Sequence, residues 1–231
     1  MKKILKIVAA VFIVIVVAIV ILFQIARYQA DVNVTTDGVL KMRYGWHIDV
    51  KEESKTPIIL YQGALVDAKA YLPLAKALSN EQRDVYVIDA PLDLPIFASK
   101  QVDKIMVEEQ LTEAVVMGHS LGGVVASQVA AGDNRIKGLV LLASYPSKHT
   151  DLSHVKFPVL SIRGTEDKVL NQDNWTQALK RLPDSLVIEV IEGGNHAQFG
   201  HYGAQKGDGV ATISANVQQQ MTADKVNAIF K

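Results

Sequence analysis

The stretch that most constrains this chain is Glu113-Ala114-Val115-Val116-Met117-Gly118-His119-Ser120-Leu121-Gly122-Gly123-Val124-Val125-Ala126. It reads as a short apolar strand, a sharp turn and a helix of small residues. Ser120 stands at the tip of the turn, inside Gly118-x-Ser120-x-Gly122. A strand that reverses into a helix within one residue forces that residue to a positive φ. Its flanks must then be almost free of side chains, and Gly118 and Gly122 meet that need. This is the nucleophile-elbow pattern. Its geometric result is a serine hydroxyl raised above the carboxyl end of a sheet, with the first amides of the following helix directed at it. A Gly-x-Ser-x-Gly alone is weak, since such clusters are often plain loops. The β-branched strand before it and the small-residue helix after it supply the required context.

The rest of the chain supports a sheet around that turn. Residues 39–50 hold one or two early strands, and 51–56 an exposed turn. Pro57 to Gly63 is a buried-type strand ending in glycine. Ala68 to Ser79 has helical spacing, with Tyr71, Leu72, Ala75 and Leu78 on one face. Asp84 to Asp89 is a strand closed by Ala90-Pro91, and Ala98 to Glu109 is a helix. Beyond the elbow, Ile136 to Ala143 is a strand whose Leu139-Val140-Leu141-Leu142 lacks alternation, as expected for a parallel strand covered on both faces. Phe157 to Arg163 is a strand, Asn171 to Leu182 a helix, Leu186 to Ile191 a strand and Thr212 to Lys231 a helix. Strands alternate with helices, so the fold class is α/β with a doubly wound, mainly parallel sheet. Ligands in such sheets bind beyond the carboxyl ends of the strands.

The N-terminus has a different character. Lys2, Lys3 and Lys6 precede Ile7–Phe23, an unbroken run of 17 apolar residues. With Ile4 and Leu5 it reaches the ~20 residues that span a bilayer core. A cleaved signal peptide has an apolar stretch of about 7–15 residues and a small-residue cleavage site, which Gln24 to Ala30 matches poorly. The expectation is therefore an uncleaved transmembrane helix over 1–27, a linker over 28–37 and an α/β domain over 38–231. Lysines before the run keep the N-terminus in the cytoplasm and put the domain outside it. Lys2, Lys3, Lys6 and Arg27 are four of the 24 basic side chains, and no acid lies among these residues, so the remainder is net −4. A mildly acidic domain argues against nucleic acid as a partner. The absence of cysteine excludes disulfides, thiolate metal sites and a cysteine nucleophile. No metal-binding or nucleotide-binding motif is present, so no cofactor or metal is expected.

A serine nucleophile needs a base. Of the six histidines, His47, His119, His149, His154, His196 and His201, His196 is placed for the task. It lies in the glycine-rich run Glu192 to Gly200, just after the last strand and at the same sheet edge as Ser120. It is the expected general base. His119 precedes the nucleophile, a position that points away from the site, and is expected to pack beside the sheet. The base needs an orienting carboxylate. Asp167, a few residues past the strand ending at Arg163, is the expected partner, with Glu166 as runner-up. The order Ser120, Asp167, His196 is that of one large hydrolase superfamily. The oxyanion hole would use the backbone amides of Leu121 and Ala64, with Leu65 next to Ala64 as the alternative.

From Pro57 onward the chain resembles a compact serine-type α/β-hydrolase. It is similar to the small bacterial group related to dienelactone hydrolase (carboxymethylenebutenolidase). The resemblance rests on Tyr61-Gln62-Gly63 with Val66-Asp67 and Tyr71, on the elbow, and on Leu141 to Pro146. Gly164 to Asp167 and Gly193 to Gly200, followed by Tyr202-Gly203 and Gly207-Asp208-Gly209, complete it. There are two departures. Serine stands where dienelactone hydrolase has cysteine, and Gln62-Gly63 where many relatives have His-Gly or Pro-Gly. The resemblance implies hydrolysis of a small-molecule acyl substrate, an ester foremost, with thioesters and amides also open, through an acyl-enzyme. A non-catalytic membrane-anchored scaffold on the same fold and an acyltransferase are the alternatives. No long insertion separates Ile136 from Phe157, so the lid is minimal. Pro91 to Phe97, with Tyr145, Phe199 and Tyr202, either lines an acyl pocket or packs in the core.

Overall fold

The computed structural model describes residues 11–14, 17, 25–50, 55–79 and 82–230. The strands are β1 (Leu40–Met42), β2 (Gly45–Ile48), β3 (Lys55–Tyr61), β4 (Arg83–Ile88), β5 (Ala114–His119), β6 (Ile136–Leu142), β7 (Val159–Gly164) and β8 (Val187–Ile191). The helices are α1 (Leu72–Ser79), α2 (Gln101–Glu108), α3 (Leu121–Gly132), α4 (Gln172–Ala178) and α5 (Ala215–Ile229). All eight strands form one sheet in the order β1-β2-β4-β3-β5-β6-β7-β8. β1 and β2 are antiparallel, and every pairing from β4–β3 through β7–β8 is parallel.

The central strands are apolar on both faces because both faces are covered. Ile58, Leu60, Val115, Met117, Val140 and Leu142 join one core with Leu72, Leu78 and Val226, from α1 and α5. Their alternating neighbours Ile59, Tyr61, Val116, Leu139 and Leu141 join the other core with Val102, Ile105 and Val125, from α2 and α3. Each such side chain contributes about 1.5–3 kcal/mol on burial. The chain adds β4 on one side of β3, then crosses to add β5 on the other. That reversal opens a crevice at the carboxyl ends of β3 and β5, where Tyr61 is paired with Gly118.

Expected and observed elements differ mainly at their ends. The helix expected over Asn171–Leu182 is α4 to Ala178 and then a 3-10 turn, Leu179–Arg181, stopping just before Pro183 as a helix must. The closing helix starts at Ala215 because Ser214 caps it, its Oγ accepting the Val217 N–H. Residues 143–158 hold neither helix nor strand, so no lid domain stands between β6 and β7.

The expected membrane helix over 1–27 lies largely outside the described residues. Among those described, no helix is long and apolar enough to cross a membrane. Residues 11–14, 17, 25 and 26 are helical, and Val11, Phe12, Ile13, Val14, Val17 and Ile25 are exposed. The stretch expected as a linker lies along the domain. Tyr28 forms a parallel bridge with Val66, Asp31 N–H donates to the His201 carbonyl, and Tyr28, Ala30 and Val34 pack on the core.

Candidate active site

Ser120 caps α3 with φ 51° and ψ −122°, the strained left-handed conformation expected of a serine at this turn. Its N–H donates to the Leu142 carbonyl at 2.9 Å, and its own carbonyl accepts from Gly123 N–H at 3.0 Å and Ser144 Oγ at 2.6 Å. The glycines are steric necessities. A Cβ on Gly118 would fall 2.4 Å from the Gly122 backbone, and one on Gly122 would fall 2.2 Å from the Gln62 carbonyl.

Asp167 follows β7 and is buried. Its Oδ1 accepts the N–H groups of Val169 at 2.9 Å and Leu170 at 2.8 Å. Its Oδ2 lies 3.0 Å from His196 Nδ1. Since the carboxylate accepts, Nδ1 carries the proton and Nε2 the lone pair. Glu166, the alternative, makes no such contact: its carboxylate meets Thr165 Oγ1 at 3.4 Å, and its N–H donates to the Gly194 carbonyl. His196 is 2% exposed and begins a 3-10 turn, Ala197–Phe199. Its loop is fastened by Gln218 of α5, which accepts from Asn195 N–H and donates to the Asn195 carbonyl. Asp208 accepts from Ala197 N–H, and Asn195 Nδ2 donates to the Gly209 carbonyl.

Ser120 and His196 line one cavity of about 250 Å3, together with Leu121, Val124, Tyr145, Val169, Leu170 and Asn171. The structure divides the residues that were to line an acyl pocket or pack in the core. Tyr145 lines this cavity, but Phe199 and Tyr202 are buried in the core on one face of the sheet. Leu92, Ile96 and Phe97 are exposed and line none of it. The physical reason lies in two 3-10 turns, Pro91–Asp93 and Pro95–Ala98, which turn Asp93 inward and those three side chains outward.

Leu121 N–H opens α3 and has no intrahelical acceptor. The Ala64 N–H makes no hydrogen bond to any described residue, and Ala64 is not among the residues that line the Ser120 cavity. The Leu65 alternative is removed, because Leu65 (φ 60°) donates its N–H to the Asp93 carbonyl at 2.7 Å. This turn has supports that the sequence reading missed. Gln62 is fully buried. Its Oε1 accepts from Ala90 N–H at 2.9 Å, and its Nε2 donates to the Val66 carbonyl at 2.7 Å and to Asp93 Oδ1 at 3.2 Å. The departure at Gln62 is therefore a cross-tie between the ends of β3 and β4. A polar amide directly after the apolar run Pro57–Tyr61 was the available signal.

Tyr71 is the second support. Its hydroxyl accepts the Gly63 N–H at 2.8 Å and contacts His119 Nδ1 at 2.7 Å. Burial keeps the Tyr71 phenol protonated, raising its pKa far above the ordinary range. Burial first, then the nearby His196, hold His119 well below its ordinary range, opposed by the His196 carbonyl, so His119 is neutral. The His119 and His196 rings are 4.5 Å apart.

His149 and His154 are exposed on the β6–β7 connection. His47, Asp49 and Asp84 are the described group that could hold a cation, with ligand atoms within 4.8 Å of one another. They sit at the amino end of β4, the sheet edge opposite Ser120, so such an ion would have no part in chemistry at the serine.

A family model described as "Alpha/beta hydrolase family" matches residues 57–220, more than two thirds of the chain. No curated protein matches by sequence. Solved structures of similar fold include a predicted CIB-like hydrolase from Thermoplasma acidophilum, at TM-score 0.63 and 15% identity over 82% of this chain and 98% of that one. The carboxylesterase CesB of Bacillus subtilis aligns at TM-score 0.60 and 12% identity, covering 83% and 90% of the two chains. A monoacylglycerol lipase of Paleococcus ferrophilus aligns at 0.58 and 16%, covering 76% and 96%. The matched segment holds the elbow, both loops beyond β7 and β8, and the parallel sheet that carries them, and the chain belongs to the alpha/beta hydrolase family.

Proposed function

We propose that the chain is a serine hydrolase acting on esters of small acyl groups through an acyl-enzyme. One observation carries the reading: His196 is held by Asp167 at 3.0 Å and shares a cavity with a serine at φ 51°. In this mechanism His196 Nε2 takes the Ser120 proton as Oγ attacks the acyl carbon. The carbonyl electron pair moves onto oxygen and is held by the amides of Ala64 and Leu121. Collapse expels the alcohol, which leaves with the proton from His196. Water, deprotonated by His196, then attacks the acyl-enzyme and releases acid and free Ser120. Asp167 keeps the tautomer and stabilises the imidazolium.

The esterase and lipase among the structures of similar fold support an ester as the substrate class. A cavity of about 250 Å3 is below the ~300–1,000 Å3 typical of drug-sized ligands, which favours a short acyl group. The narrower likeness to the dienelactone-hydrolase group belongs to the same reading, through the loop from Gly193 to Gly209. Residues 1–27 are the proposed membrane anchor, with the domain on the extracytoplasmic side. The apolar run and the exposed apolar helical residues 11–14 and 17 support this.

The test is labelling of the full chain by a fluorophosphonate, wild type beside Ser120→Ala and His196→Ala. Labelling that requires both residues is the expected result. A folded wild type that does not label overturns the reading in favour of a non-catalytic scaffold. Product analysis with and without an acceptor alcohol separates hydrolysis from acyl transfer.

A further inference from the structure

The segment Pro91–Phe97 carries three large apolar side chains that are more than half exposed. Leu92 is 64% exposed, Ile96 52% and Phe97 57%. Between Ala90 and Ser99 the one acid is Asp93, which is buried and ion-paired with Arg27. Lys100, next in the chain, is exposed. This surface is apolar and bordered by Lys100, with the exposed Asp89, paired with Lys41, before it in the chain. It also adjoins the proposed oxyanion turn, since Leu65 N–H donates to the Asp93 carbonyl and Gln62 Nε2 to the Asp93 carboxylate.

Chain connectivity supplies the occupant. The apolar run ends at Phe23, four residues before Arg27. Even fully extended, four residues span about 14 Å. The interfacial layer on each side of a bilayer core is about 5–8 Å thick. Arg27 is fixed to the loop by its pairing with Asp93, and Tyr28 is fixed beside it by hydrogen bonds with Leu65 and Asp67. A run inserted in the bilayer therefore holds Arg27 within about 14 Å of the hydrocarbon core, among the head groups or just beyond them. Exposed Leu, Ile and Phe beside a lysine suit that layer, as they do on interfacial helices.

We infer that Leu92, Ile96 and Phe97 dip into the membrane that holds residues 1–27, so that the mouth of the Ser120 cavity faces the bilayer and takes amphipathic esters dissolved in it. The substrate part of this inference rests on the hydrolase reading above, and the docking part rests on the membrane anchor proposed there. The short acyl group enters the cavity while the alcohol portion remains among the lipids.

The chain has no cysteine, so one introduced thiol is a unique label. Full-length Phe97→Cys and Asn134→Cys, carrying an environment-sensitive nitrobenzoxadiazole, are reconstituted in phosphatidylethanolamine–phosphatidylglycerol vesicles. Asn134, exposed on the turn before β6, lies at the opposite sheet edge. The expected result is a blue-shifted emission at position 97, quenched at least twofold by lipids brominated near the head group, and neither effect at 134. Equal water exposure at both positions overturns the docking. Shielding at 97 without quenching by brominated lipid also overturns it, since protein, such as a second copy, would then cover the loop. A Leu92→Asp/Ile96→Asp/Phe97→Asp variant should lose at least tenfold activity on a vesicle-borne ester and none on a water-soluble short ester. Parallel loss on both substrates, or loss on neither, overturns the bilayer-substrate part. A wild type inactive on every ester sinks the hydrolase reading while the labelling result stands by itself.

Discussion

Asp167 is held by its own loop and the His196 loop by groups that follow it in the chain, Asp208 and Gln218 of α5, whereas the Gly63–Val66 turn is held by residues from both before and well after it. Asp167 takes two amides from the next three residues, and the His196 loop is tied by Asp208, Asn195 and Gln218. The turn depends on Gln62 joined to Ala90 and Asp93, on Tyr71 joined to His119, and on Arg27 and Tyr28 from the end of the N-terminal segment. The difference teaches where damage should spread. Changes on the acid–base side should act on chemistry and leave the fold intact. Changes on the oxyanion side should touch stability and catalysis together, because the same side chains serve both.

The largest expected effect is on the acid–base side. Asp167→Asn should lower kcat by about 10⁴-fold, the cost of the wrong imidazole tautomer, while Glu166→Gln stays within about twofold of wild type. Steady-state kinetics on both variants decide it, and comparable losses would break the assignment. Next is Tyr71→Phe, which strands the Gly63 N–H and His119 Nδ1 in a buried place. It should cost about 1–3 kcal/mol of stability and about tenfold in kcat at nearly constant KM, if the turn is used in the transition state. Loss of stability in denaturant titrations with kcat unchanged would reduce Tyr71 to a packing role.

Arg27→Gln should cost about 2 kcal/mol at pH 7, because it leaves the buried Asp93 carboxylate without its cation. Burial raises the Asp93 pKa and Arg27 opposes that rise. A raised folded pKa means stability is lost as pH climbs and the desolvated group must ionise. The variant's deficit should therefore shrink in acid, and a deficit equal at pH 7 and pH 4 would break the pairing argument. The smallest effect concerns His119. Its folded pKa lies well below the ordinary value of 6.5, so its contribution is complete above that value. It fades as pH falls and the unfolded chain takes up a proton that the fold refuses. Between pH 7 and pH 5.5 this amounts to about 1 kcal/mol, and His119→Gln should flatten that part of the stability profile.

The strand–turn–helix at Ser120 was legible because its constraints are local. A positive φ, two glycines and a β-branched strand lie within a dozen residues, and α3 begins at Leu121 as expected. The parallel core strands were legible for a similar reason, since unbroken apolar runs need cover on both faces. The Asp167–His196 contact needed only loops that follow neighbouring strands β7 and β8. Of the two readings left open for Pro91–Phe97, Phe199 and Tyr202, core packing holds for Phe199 and Tyr202, and the sequence could not choose because orientation decides it. Apolar residues without helical or strand period give no indication of which side faces protein, and two short 3-10 turns decided it.

What the sequence alone determined, then, are the features written in short windows: the elbow, the alternation of strands and helices, and the apolar N-terminal run. Only the tertiary structure decided that Gln62 bridges two strand ends and that Tyr71 reaches His119 across 48 positions in the chain. It also decided that Arg27 returns to pair with Asp93. The reason is physical. Backbone conformation answers to neighbours within a few residues, while a buried polar side chain answers to whichever group the packed sheet and helices bring within hydrogen-bonding distance.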